Sequence, residues 1–362
     1  MAGIYLDANA TTPLSREVMA EMMPALTEHF ANPSSVHKPG QDARALVDIA
    51  RERCAKALGC APKEIIFTSG GTEADALAVL GLRPRKVVTT SVEHPAVLGA
   101  CASVAECIRV PVSASGELDL EALRRSLPGA QLCSVMAANN ETGIVFPLRE
   151  IAAICRDAGV PLHVDAVQAA GKLLLDFPWD LITISAHKIR GPKGAGLVAC
   201  RGPKLHALLS GGHQERGRRG GTENVAGIAG LGAALARVSV DAVPRLTALR
   251  DRLQAAALAI SGAHVAGLSA SRVCNTLNVA FEECDGETLL AALDVEGICV
   301  STGSACSSGS VEPSPVLLAM GYSPELARGA LRFSLWDGNT SEEIDRVCEL
   351  LPQIVQRSRS FT

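Results

Sequence analysis

Between about residues 39 and 260 the chain alternates stretches with apolar side chains at helical spacing and short runs that are apolar throughout. The clearest helix runs from about Gly40 to Leu58. There Ala43, Leu46, Val47, Ala50, Cys54 and Ala57 share a face, and Gly59 ends it. The apolar runs are IIFT (65–68), KVVTT (86–90), LCSVMA (132–137), PLHVD (161–165), DLITIS (180–185) and GLVAC (196–200). Runs without a polar face suit a sheet covered on both sides, and their alternation with helices predicts parallel strands joined by crossover helices. The fold class is therefore α/β.

After Asn224 the texture changes. A long Ala/Leu-rich stretch to about Ser261 leads into strand-like segments at NTLNVAF (275–281) and ALRFS (330–334), which reads as a second, smaller domain. It closes with a helix opened by Thr340 and Glu343 at capping-box spacing, with Ile344, Val347, Leu350, Leu351 and Ile354 on one side.

A length of 362 residues suits two packed domains, and with 48% hydrophobic but only 3% aromatic residues the interior must be built from Ala, Val, Leu and Ile. The 34 basic and 38 acidic residues nearly balance, at a net charge of -4, so nucleic acid and anionic membrane are poor partners and a small-molecule substrate is the better expectation. The first residues lack a secretory signal, and no apolar run approaches the roughly 18 residues of a membrane span, so a cytoplasmic location is expected. The twelve cysteines show no CxxC pair and sit singly in apolar settings, which predicts mostly reduced core thiols and no structural metal.

Ligands of open α/β sheets bind beyond the carboxyl ends of strands, so the residues that follow each run carry the chemistry. IIFT is followed by Ser69-Gly70-Gly71-Thr72-Glu73 and a helix. Small residues there let the backbone close on a phosphate at a helix N-terminus, although such a turn can also be merely structural. PLHVD delivers Asp165, with Gln168 after it, and DLITIS delivers Ser185, His187 and Lys188. A lysine desolvated at the end of an inner strand can act as an amine nucleophile toward an aldehyde, whereas one standing alone in a polar loop would be a solvated cation. Together with a phosphate loop, an acid 23 residues before the lysine, and His94 after another strand, Lys188 completes the set that pyridoxal phosphate requires.

The sequence also resembles, along nearly its whole length, the cysteine desulfurases of the NifS/IscS type within the class-V aminotransferase group of fold-type I enzymes. The matching segments include YLDANATTPLS (5–15), NPSSVH (32–37), FTSGGTEAD (67–75), VEHPAVL (92–98), AANNETG (137–143), HVDAVQAAGK (163–172), SAHKIRGPKGAG (185–196), GGHQERGRRGGTENV (211–225), STGSACSSGSVEPS (301–314) and LRFS (331–334). The resemblance implies that Lys188 joins the cofactor and shuttles protons, that Asp165 pairs with the pyridine nitrogen, that Gln168 touches the ring hydroxyl and that His94 stacks on the ring. It further implies that Thr72, Ser185, His187 and the Gly71 backbone hold the phosphate, with Thr222 reaching it from the neighbouring subunit of a homodimer with shared active sites. Asn139 and Arg332 would bind the substrate carboxylate; the alternative for Arg332 is a surface ion pair.

Cys306 sits in a glycine-containing stretch with no apolar period, so an exposed, mobile loop is expected. By resemblance its thiolate takes the sulfur of L-cysteine, leaving L-alanine and a persulfide for iron-sulfur cluster assembly or another thiolation. It could also ligate a [2Fe-2S] cluster during transfer to a scaffold or other acceptor protein. In these terms the large, cofactor-binding domain covers 15–242, and a small α+β domain, made of 1–14 with 243–362, carries the Cys306 loop. Arg190 stands where relatives often hold another residue type and is expected to point away from the cofactor. The chain stops at Thr362 without the longer tail some relatives use to dock a scaffold, which leaves the acceptor open. The rival readings are a selenocysteine lyase or other class-V enzyme and a non-catalytic sulfur-transfer scaffold.

Overall fold

In a computed structural model, which describes residues 3–302 and 312–359, the apolar runs become strands. In chain order these are β1 (Ile4–Tyr5), β2 (Ile65–Thr68), β3 (Lys86–Thr90), β4 (Glu106–Val110), β5 (Leu132–Met136), β6 (Leu162–Asp165), β7 (Leu181–Ser185), β8 (Gly196–Cys200), β9 (Ala263–Val265), β10 (Thr276–Phe281), β11 (Ile298–Cys299) and β12 (Ala330–Ser334). Seven of them form the central sheet, in the order β2-β8-β7-β6-β5-β3-β4. Neighbours from β7 across to β4 run parallel, but β8 is antiparallel to both β7 and β2. The crossover expected before GLVAC is therefore absent. Residues 186–195 alone connect β7 to β8, and a parallel return needs a dozen residues or more.

Both faces of this sheet are covered. Ile66, Leu132, Leu181 and Val198 point into one apolar cluster, while Ile65, Phe67, Cys133, Ile182, Ile184 and Leu197 point into the other. That is the period of two along each strand, with both phases buried. The helix Lys38–Leu58 ends at Gly59 with φ 62°, the left-handed turn that favours glycine there. It packs on helix Val225–Leu235, the first half of the Ala/Leu-rich stretch, which is buried from Ala226 to its end.

A third cluster gathers Leu6 with residues from Leu246 to Val355 around an antiparallel sheet of β9, β10 and β12. Its final helix, Ser341–Arg359, starts on the expected capping box: Thr340 N–H donates to Glu343 Oε2 at 3.1 Å, and Glu343 N–H to Thr340 Oγ1 at 3.3 Å. The N-terminal segment crosses between the clusters. β1 pairs with β11, and Ala8 N–H donates to the Ser334 carbonyl at the end of β12 (2.9 Å).

Candidate active site

The carboxyl ends of the parallel strands open into a cleft of about 840 Å³, bordered on its far side by Asp7–Ala10 and by Arg332 of β12. Each wall is a turn that a strand end makes unavoidable. After β2 the chain passes Gly70 (φ 156°) into helix Gly71–Leu80, whose first N–H groups have no partner within the helix. At Gly71 a Cβ would stand 3.2 Å from Val167 Cγ2 and 3.5 Å from Ser185 Cβ, so the backbone lies hard against the turns after β6 and β7. Gly196 is tighter still: a Cβ there would meet the Gly70 backbone at 2.7 Å. Ser185 Oγ, at the end of β7, is buried without a hydrogen-bond partner. A buried hydroxyl beside free helix N–H groups suits a phosphate, whose oxygens accept only.

Lys188 lies on the turn Ala186–Lys188 immediately after β7, and its Nζ donates to the carbonyls of Asn9 and Ala10. Burial, reinforced by the nearby Arg332 guanidinium, pushes its amine down to about 8, against the opposing pull of Asp7 and Asp165. Asp165 ends β6 and accepts from Val167 N–H at 2.9 Å; burial raises its carboxyl, while that bond, His94 and Lys188 favour the ionised form. His94 Nδ1 accepts from Ala96 N–H at 3.1 Å, so a neutral ring carries its proton on Nε2, and burial favours that neutral ring. His187 Nδ1 faces Thr11 Oγ1 at 3.2 Å, and burial pushes it down to about 4.

Arg332 is 5% exposed, which removes the surface ion pair as an account of it. It donates to Asp7 Oδ1 (2.8 Å) and to the Asn140 carbonyl (3.1 Å), and its Nε is buried without a partner. Beneath the floor His163 is held between Ser134 (2.8 Å) and Thr183 (3.0 Å), with Asp75 Oδ1 3.7 Å from its Nε2, and is pushed down to about 3 by burial; Glu93, which accepts from Thr90 and Met136 N–H, is pushed up to about 8 by burial.

Gly71, Thr72, His94, Asp165, Gln168, Ser185, His187, Lys188 and Arg332 thus line one cleft. Asn139 does not. Its Oδ1 accepts from the N–H groups of Glu141 and Thr142 and its Nδ2 donates to the Val92 carbonyl, so its amide is committed to its own turn and Asn140 lines the cleft instead. Thr222 is exposed and outside the lining. Cys306 lies outside the described residues, but Thr302 and Glu312, which flank its segment, both line the cleft. Arg190 turns away, as expected, to Asp337 (2.7 Å) and the Trp336 ring.

Asp7 and Asn9 line the cleft and Lys172 stands behind it, and the strand-end search passes over all three. Asp7 and Asn9 stand inside the matched segment YLDANATT and Lys172 inside HVDAVQAAGK, and that is the signal that points to them. Among the described residues no three His, Cys, Asp or Glu side chains are placed to hold a metal, and no helix is long and apolar enough to cross a membrane.

The residues present fit pyridoxal phosphate: a depressed amine, a buried acid, a flat neutral imidazole and an unpartnered hydroxyl beside free helix N–H groups. The family model "Aminotransferase class-V" matches residues 4–347. The chain belongs to the class-V aminotransferases, and with them to the pyridoxal-phosphate enzymes. It is 47% identical over 380 residues to a cysteine desulfurase of Trichormus azollae, covering 100% of this chain and 95% of that one. Among solved structures it is similar to a NifS-like protein (TM-score 0.91, 35% identity, 98% of this chain and 100% of that one) and to SspA in complex with cysteine (TM-score 0.81, 31% identity, 92% and 98%).

Proposed function

We propose that the chain is a cysteine desulfurase, which converts L-cysteine to L-alanine and leaves a persulfide on Cys306. The observation that carries this is Lys188: an amine brought to about 8 at the floor of a cleft that also holds the acid, the imidazole and the phosphate cradle. When bound, pyridoxal phosphate supplies an aldehyde for amines and a ring that draws electrons from the substrate Cα.

Lys188, neutral for part of the time near pH 8, would supply the amine for that aldehyde and would carry the proton leaving Cα. Asp165, drawn toward its ionised form by the Val167 N–H bond, His94 and Lys188, would hold a proton on the ring nitrogen. His94, kept neutral by burial, offers a flat face for stacking. Gly71, Thr72, Ser185 and His187 receive the phosphate, and Gln168 the ring hydroxyl. Arg332, pinned by Asp7, offers its unpartnered Nε edge to the substrate carboxylate. Asn139 supports this indirectly, holding the turn whose Asn140 carbonyl accepts from Arg332.

The Cys306 thiolate forms an S–S bond to the substrate sulfur as the Cβ–S bond breaks. The electron pair left on Cβ takes up one proton, and Cα regains the proton held by Lys188, to give alanine. Burial works against a thiolate at most of the described cysteines: it pushes Cys54 and Cys101 up to about 12, Cys60 and Cys200 up to about 11, and Cys274, Cys284, Cys299 and Cys348 upward too.

We further propose a division at 15–242 and 1–14 with 243–362, supported by the separate cluster around β10 and β12, and a homodimer in which Thr222, exposed here, serves the partner's phosphate site. Its eleven free described cysteines suit the cytosol. The persulfide would pass to an iron-sulfur scaffold or another acceptor protein. The deciding experiment is alanine release from L-cysteine with a reductant. Cys306→Ser should retain the yellow cofactor and lose turnover about a thousandfold or more; parent-level alanine from that variant defeats the assignment.

A further inference from the structure

An amide side chain can be reversed end for end at little steric cost, so its partners decide which end meets a ligand. At Gln168 those partners leave one choice. Its Oε1 accepts from Lys172 Nζ at 2.6 Å, and its Nε2 donates to the Asn9 carbonyl at 3.0 Å. Reversal would set an NH2 group against the Lys172 donor and an oxygen against a carbonyl, two repulsive contacts around a side chain only 5% exposed. Lys172 is itself held by Asn9 Oδ1 at 3.2 Å. It does not line the cleft; it borders a second, smaller cavity that Lys188 also lines.

We propose that Lys172 is a positioning residue, which locks the Gln168 amide with its NH2 end toward the cofactor's ring hydroxyl and so keeps that hydroxyl ionised. The inference rests on the cofactor reading above. A donor to the charged form of a group favours that form, so the lock lowers the pH at which the lysine-bound cofactor loses its proton and changes its visible absorption. The charged or titratable groups that face Lys172 are Lys188, Arg332 and Cys274. Burial and Lys188 push the Lys172 amine down to about 7, yet ammonium and amine alike have an N–H to donate, so the lock holds on both sides of neutrality.

The test is a visible-absorption pH titration of the cofactor-loaded protein through a double-mutant cycle. Lys172→Met keeps the chain length and removes the donor; Gln168→Leu removes the amide. Each single variant should raise the midpoint by about one pH unit, and the double variant no further. Lys172→Gln, which retains an N–H, should return the midpoint to that of the parent. Additive shifts in the double variant would mean that Lys172 acts by charge and not through Gln168, and they would overturn the proposal, as would an unmoved midpoint in Lys172→Met. A parent that stays colourless with pyridoxal phosphate would instead sink the cofactor reading. Should Lys172→Met fail to fold by circular dichroism, Lys172→Ala takes its place in the same cycle.

Discussion

Asn9 commits every polar atom it has. Its N–H donates to Ser334 Oγ, and its carbonyl accepts from Gln168 and Lys188. Its Nδ2 donates to the Asn140 carbonyl and Thr276 Oγ1, and its Oδ1 accepts from Lys172 and Asn275. Asn9→Ala therefore strands buried partners on several segments and should cost about 3 kcal/mol of stability, read by denaturant unfolding. Glu93 makes a prediction of opposite character. Its folded-state carboxyl titrates near 8 against an ordinary 4.5, so the folded protein holds a proton that the unfolded chain has released, and stability falls as pH rises from about 4.5 to 8. Glu93→Gln removes that titration while keeping an acceptor for Thr90 and Met136 N–H. Relative to the parent, it should melt progressively higher as the buffer is moved from pH 5 to pH 8. Asp165 and Ser185 were legible in the sequence because each ends an apolar run, and Lys188 because it stands three residues past one. Asn9 and Lys172 were marked only by the matched segments that contain them and not by any strand end, since their meaning lies in partners such as Gln168 and Lys188, which Asn9 meets across more than 150 residues of chain.

Strands and their connections tell a similar story one level up. The buried runs were readable from composition, yet β4 was not, because its Glu106–Val110 sequence sits on the sheet edge and keeps Glu106 and Arg109 exposed. The direction of β8 was hidden for another reason: apolarity reports burial, and only the length of the connection reports sense. The segment after β8 carries its own anchor. Glu215 and Arg216 both take left-handed conformations (φ 46° and 57°), and Glu215 is paired twice with buried Arg51, at 2.7 and 2.9 Å, while also accepting from Phe67 N–H. Replacing Glu215 by Ala would leave the Arg51 charge buried and unmatched, with an expected loss of about 3–5 kcal/mol in equilibrium unfolding. The same change should loosen the loop that leads to Thr222.

For the whole molecule, the cleft is bounded by both halves of the chain: Lys188 comes from the seven-stranded sheet and Arg332 from the smaller one, with Asp7–Ala10 between them. Phe30 and Val36 stand 80% and 89% exposed, apolar surface in keeping with a proposed second subunit. Light scattering should accordingly return the mass of two chains, and Thr222→Ala should weaken cofactor retention about tenfold without changing that mass. A monomer that binds cofactor as well as the parent would count against shared sites.

The strand at Ile4–Tyr5 finds its mate at Ile298–Cys299, and Ala8 finds Ser334. During synthesis residues 4–8 must therefore wait, unpaired, until residues 298–334 have emerged. The pocket is therefore completed late: a nascent chain halted before Ser334 would own all seven strands of the central sheet yet no finished pocket.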